Sequence, residues 1–234
     1  MVKRFIVAVP NEVQRRWLIS LISRAYAETC VTSCDGAREL VAASAVDADA
    51  HIVFALSLDD IDGIDVARIL LGMMHADRLT VLLDRTDAFS LLTLEQYGLW
   101  RVLSQGESDD TIIGVLRGSA PGFVPLGERL SREPCVREQA RLVRHLTPNF
   151  FQLMHLFSAG ARDKDIARLT DRSLHTIRTQ RKRIYAFWGV RSIAGLCMVM
   201  AMSGLIRFSR GRVIRPGVGG ILAENVRTID SDYS

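Results

Sequence analysis

Through the first 118 residues, short unbroken apolar runs alternate with stretches whose apolar residues recur every three or four positions. The runs are RFIVAV (4–9), CVTSC (30–34), HIVFAL (51–56), LTVLL (79–83) and WRVL (100–103), and each is expected to be a strand. Because their apolarity is continuous rather than alternating, they predict a parallel sheet covered on both faces. Between them, Asn11 is expected to cap a helix carrying Val13, Trp17, Leu18, Leu21, Ile22 and Ala25, and Asp35 a second helix ending at Val46. Val66, Ile69, Leu70 and Met73 share one face of a third helix, and two more are expected near Asp87–Tyr97 and Ser108–Arg117. Five such units predict a doubly wound, flavodoxin-like α/β domain with a five-stranded parallel sheet over residues 1–118.

At Gly118 the pattern breaks. SAPGFVPLGERLSREP is dense in Pro and Gly, so residues 119–145 read as a linker with a short basic helix from Val136 to Leu146. Thr147-Pro148 then starts a helix and Gly160 ends it. A second, short helix from Asp163 to Thr170 buries Ile166 and Ala167, and after the Asp171-Arg172 turn Ser173 caps a third. Leu174, Ile177, Ile184 and Trp188 form the inner side of that third helix. His175, Arg178, Thr179 and Lys182 form an outward stripe, flanked by Arg181 and Arg183. A short helix, a tight turn and a basic-faced helix predict a helix-turn-helix within an all-α four-helix domain, residues 146–206. Its last helix, within Ser192–Ile206, is apolar nearly all round and reads either as a packed core helix or as a dimer contact. Residues 207–234 read as a flexible or hairpin extension.

The net charge of +4 over 234 residues hides an asymmetry that sharpens this reading. Residues 1–118 carry 11 basic and 17 acidic side chains, whereas residues 137–191 carry 12 and 4. Only the second segment favours a polyanion, which points to double-stranded DNA. The scattered cysteines (Cys30, Cys34, Cys135 and Cys197) form no zinc set and are expected to be reduced and buried. The N-terminus lacks a secretory pattern, and the longest apolar run, Ile193–Ile206, falls short of the roughly 20 residues that span a bilayer. The expectation is a cytoplasmic protein without a membrane partner.

The stretch Leu146–Ile206 resembles the LuxR/NarL-type, GerE-like DNA-binding domain. The resemblance rests on Leu146-Thr147-Pro148, Gly160, Lys164, Ile166-Ala167, Ser173, Thr176-Ile177, Ile184 and Gly189-Val190. It implies base contacts from Arg178, Thr179 and Lys182. It implies phosphate contacts from Lys164, Ser173, His175, Thr176, Arg181 and Arg183. Phe150, Arg162, Asp171 and Arg172 depart from the family pattern.

With such a reader at its end, the first domain resembles the receiver of two-component response regulators. A receiver needs acidic residues after the first strand, a phosphoacceptor Asp ending the third, a hydroxyl ending the fourth and a Lys ending the fifth, to hold magnesium and the phosphoryl oxygens. Aligning Asp62-Gly63 with the family's Asp-Gly puts Ala55 at the phosphoacceptor position. Asn11-Glu12, Asp84 and Gln105 occupy the other pocket positions. Asp59 and Asp60 read as loop or cap residues, the alternative being weak divalent-ion binding with Glu12. The implied protein is a transcription regulator and not an enzyme. It is expected to lack a cofactor and a resident metal, to work as a homodimer without aspartyl phosphate, and to take a partner protein or ligand at the receiver-like domain. The alternatives are a co-regulator that binds DNA only as a heterodimer, and a conventional regulator phosphorylated at Asp59 or Asp60.

Overall fold

The five expected strands form as β1 (Lys3–Ala8), β2 (Thr29–Cys34), β3 (His51–Ala55), β4 (Leu79–Leu83) and β5 (Val102–Ser104) in a computed structural model. It describes residues 2–104, 106–118, 128, 134–209, 212–214 and 216. All neighbouring pairs are parallel and the order is β2-β1-β3-β4-β5. Helices α1 (Glu12–Ala25), α2 (Ala37–Val46), α3 (Gly63–Leu71), α4 (Ala88–Gln96) and α5 (Asp109–Arg117) connect and follow them.

Successive strand residues point to opposite faces, so each strand feeds two cores. Phe5, Val7, Val53, Ala55 and Leu103 pack with Leu18, Leu21 and Ile22 of α1 and Ile112, Val115 and Leu116 of α5. Ile6, Ala8, Ile52, Phe54 and Val81 pack on the other side with α2, α3 and α4. This is the two-sided burial that the continuous apolar runs demand.

Several local expectations change. The outer strand β2 has one neighbour, so Cys30 is exposed while Cys34 is buried. Cys135 is exposed too, which corrects the expectation of four buried thiols. Burial and then the neighbouring Glu39 carboxylate push the Cys34 thiol up to about 11. Val13 and Trp17 lie off the buried stripe of α1, and Ile69 is exposed on α3. Asp35 does not cap α2; its carboxylate accepts from Arg15 at 2.7 Å. The cap comes from Asp60, whose two oxygens accept from the backbone N–H of Ala37 (2.8 Å) and Arg38 (3.1 Å).

After the sheet come α6 (Pro134–Arg144), α7 (Pro148–Ser158), α8 (Asp163–Leu169), α9 (Leu174–Trp188) and α10 (Ile193–Met202). A hairpin of β6 (Arg207–Ser209) and β7 (Arg212–Ile214) follows. The segment 119–133, apart from Glu128, lies outside the described residues, as do Gln105 and most of the tail.

Helix α4 joins the two halves. Ala88 through Leu94 are all buried, although one face of a surface helix would normally be wet. The reason is a second layer: α6 packs on α4, and Phe89 stacks on Phe151 of α7 with ring centroids 6.0 Å apart. The Phe89 backbone N–H donates to Ser203 O at 3.0 Å, so the end of α10 also docks there. One apolar cluster therefore runs from the sheet into the helical domain.

Candidate nucleic-acid interface

The helical domain is built by local capping and a small core. The Thr147 hydroxyl accepts from Phe150 N–H at 3.2 Å and starts α7, and the Ser173 hydroxyl accepts from Thr176 N–H at 3.0 Å and starts α9. Ile166 of α8 packs with Ile177, Ile184 and Trp188 of α9, three of the four positions expected to face inward; the fourth, Leu174, is only half-buried. The Trp188 indole N–H points at the Met154 sulfur, 3.3 Å away, filling the space between α7 and α9.

The turn between α8 and α9 is made by Asp171 and Arg172. Asp171 adopts φ 51°, a left-handed conformation that Asp tolerates better than most side chains. Arg172 does not insert into the core; its guanidinium donates to Asn149 Oδ1 at 2.8 Å and ties the turn to the start of α7. Arg162, at the cap position of α8, makes no side-chain cap bond.

With this scaffold in place, Ser173, His175, Arg178, Lys182 and Arg183 are exposed, as is Lys164 on α8. Thr176, Thr179 and Arg181 are half-buried. The residue that sequence reasoning missed is Asp163, whose side chain is only 15% exposed. It accepts from Arg181 at 2.8 Å and lies 3.7 Å from the Arg178 Nε. Arg181 is thereby held as a strut between α8 and α9, and Arg178 is drawn toward the same carboxylate. An acid at the first turn of a helix has an ordinary explanation in the helix dipole, so nothing local marks this second role.

Beyond the reader, α10 buries Leu196 and Met200 but exposes Ile193, Met198 and Met202. It is therefore part core and part open apolar surface.

At the other end of the molecule, Ala55 ends β3 and is buried. The cavity beside it holds about 20 Å³, room for about one water, between Gln14, Trp17 and Asp84. Asn11 accepts from Gln14 N–H and caps α1, and Glu12 pairs with Arg16. A receiver's magnesium and phosphoryl centre does not fit these residues: Ala55 offers only a methyl group at the end of β3, and neither Asn11 nor Glu12 lines the cavity. Among the described residues no three His, Cys, Asp or Glu side chains gather as a metal site.

Two carboxylates of the acidic loop, Asp60 and Asp62, serve structural roles. Asp60 caps α2, and these backbone bonds lower its pKa despite partial burial, which alone would raise it. Asp62 caps α3 through Ile64 N–H at 2.9 Å. Its other oxygen accepts from Arg207 at 2.6 Å, and Arg207 also donates to Ser90 at 2.6 Å and lies 3.9 Å from Asp87. Gly63 approaches so closely that a Cβ there would lie 2.4 Å from Leu56 Cα.

No family model matches the sequence, and no curated protein matches it. Among the described residues no single helix is long and apolar enough to cross a membrane. Solved structures do match. The two-component response regulator RcsB in complex with DNA aligns over 86% of this chain and 99% of its own, at 18% identity and a TM-score of 0.53. RcsB from Salmonella enterica serovar Typhimurium, bound to promoter rprA in the presence of the phosphomimetic BeF3-, aligns over 86% and 98%, at 20% identity and 0.55. The chain thus has the two-part fold of a DNA-binding response regulator, a five-stranded parallel sheet wrapped by helices and followed by a helical domain.

Proposed function

We propose that the chain is a sequence-specific, cytoplasmic transcription regulator that binds double-stranded DNA through α9 and acts without aspartyl phosphate. The observation that carries this reading is the exposed stripe of His175, Arg178 and Lys182 on the second helix of a helix-turn-helix, in a segment with 12 basic and 4 acidic residues. Arg178, Thr179 and Lys182 read bases. Lys164, Ser173, His175, Thr176 and Arg183 hold phosphates, with Arg181 released from Asp163 when the backbone arrives. The RcsB structures in complex with DNA support this use of the fold.

The same reading assigns residues 1–118 to a receiver-like input unit, 119–145 to a connection, 146–206 to the reader and 207–234 to an extension. The methyl group of Ala55 supports phosphate independence. Homodimerisation through α10 is supported by exposed Ile193, Met198 and Met202, and a relative has been seen as two RcsB dimers bound to two parallel DNAs. Footprinting with the purified chain tests the proposal. Protection of a defined site by the protein alone supports it; protection only after adding another regulator favours the heterodimeric co-regulator.

A further inference from the structure

The sheet's opposite edge, where β1, β3 and β5 begin, borders a second and larger cavity of about 610 Å³. Lys3, Arg4, Arg78, Arg101 and Arg117 line it, against two carboxylates, Asp49 and Asp77. This is 5 of the 11 cations in a domain whose net charge is negative. Ordinary structure accounts for three of them. Arg4 pairs with Asp47 at 3.1 Å, Arg78 with Asp49 at 2.7 Å, and Arg117 donates to Ala25 O at the end of α1 at 2.8 Å.

Lys3 and Arg101 meet only uncharged partners: Lys3 Nζ lies 5.9 Å from the centroid of the Tyr26 ring, and Arg101 lies 4.7 Å from that of Trp100. Among the described residues neither has a carboxylate within ion-pair distance. Arg101 is half-buried, its Nε lacks a hydrogen-bond partner, and its Nη1 lies 3.3 Å from the His51 ring. The His51 contact is a hydrogen bond to a neutral ring, so it leaves the half-buried guanidinium's charge without a counter-ion, which an anion in the cavity would supply. The charges around His51 agree with this: burial is the main cause that lowers its pKa to about 3, and beyond it Arg101, Lys3 and Arg78 outweigh the opposing Asp77. Phe5, Tyr26 and His51 supply rings at the cavity wall, with Phe5 5.5 Å from each of the others. The volume lies within the range of small-molecule sites.

We propose that this cavity binds a small polyphosphate of the nucleoside di- or triphosphate class, with Arg101 and Lys3 as its main anion ligands. It would give the receiver-like domain an input at the end of the sheet opposite the degenerate pocket. Titration of the full chain with ATP, pyrophosphate and adenosine at about 150 mM salt tests this, by calorimetry and by tryptophan fluorescence compared with a Trp100→Phe variant, since Arg101 lies 4.7 Å from the Trp100 ring. ATP and pyrophosphate are expected to bind with sub-millimolar Kd and adenosine not at all. Arg101→Gln and Lys3→Gln should each weaken binding about tenfold, about 1.4 kcal/mol apiece. Lys3 is exposed, so its variant reads binding without a packing defect. Absence of binding, insensitivity to both substitutions, loss in Lys182→Ala, or displacement of ATP by a random DNA duplex would each overturn it.

Discussion

The Arg207 guanidinium donates to the Asp62 carboxylate at 2.6 Å, joining residues 145 positions apart. Asp62 ends the acidic loop of the receiver-like domain, and Arg207 follows the last helix of the reader. Their side chains are 0% and 11% exposed. Desolvation lowers the Arg207 pKa, but Asp62 and Asp87 more than offset it, so the guanidinium stays charged. The pair therefore ties the end of the helical domain to the acidic loop that follows β3.

Arg207→Ala leaves Asp62 buried without its cation, which should cost about 3–5 kcal/mol. Urea unfolding followed by far-UV and near-UV signals checks this, and the two halves are expected to lose their single cooperative transition. A loss under about 1 kcal/mol, the size of an exposed ion pair, would remove the pair from the domain contact.

In the reader, Lys182→Ala should abolish site selectivity, a loss of about 1–3 kcal/mol of discrimination. Lys164→Ala should weaken binding to all duplexes alike and reduce the salt slope by about one. Equal losses on specific and random DNA for Lys182→Ala would move that residue to the phosphate set.

Asp163→Asn releases Arg178 and Arg181 from their shared carboxylate. Affinity for random duplex should rise and its salt dependence steepen, while α8 loses about 0.3–1 kcal/mol of dipole stabilisation at its first turn. Mobility-shift titrations at two salt concentrations read both effects.

Incubation with a small phosphodonor should leave the intact mass unchanged, because Ala55 has no nucleophile and Asp60 is bonded to the start of α2. A phosphoryl adduct lost on Asp59 or Asp60 substitution would restore the conventional mechanism.

His51 sets an acid limit on stability. Its folded pKa, about 3, lies below the unfolded value near 6.5, because burial and then Arg101 disfavour the imidazolium. Above pH 6.5 both states are neutral and the stability is fully present. As pH falls toward 3 only the unfolded chain takes up the proton, so stability drops by up to about 1.4 kcal/mol per pH unit. His51→Gln should flatten that slope in denaturation midpoints measured from pH 7 to 4.

Much of this protein was legible in its amino-acid order because the information was local or periodic. Runs such as HIVFAL specify a strand buried on both faces. Caps such as Asn11, Thr147 and Ser173 act within three residues, and the 3.6-residue period separates Ile177, Ile184 and Trp188 from Arg178 and Lys182. That β3 ends near Ala55 was legible as well, from the apolar run HIVFAL.

Tertiary structure alone decided what depends on groups distant in sequence. Asp60 caps α2 instead of Asp35 because the loop folds over that helix's N-terminus. Asp163 holds two arginines of the next helix, Arg207 reaches Asp62, and Lys3 and Arg101 meet at one cavity although 98 positions separate them. A charge in sequence has no partner until the chain brings one within a few ångströms, and burial then sets the strength of that contact.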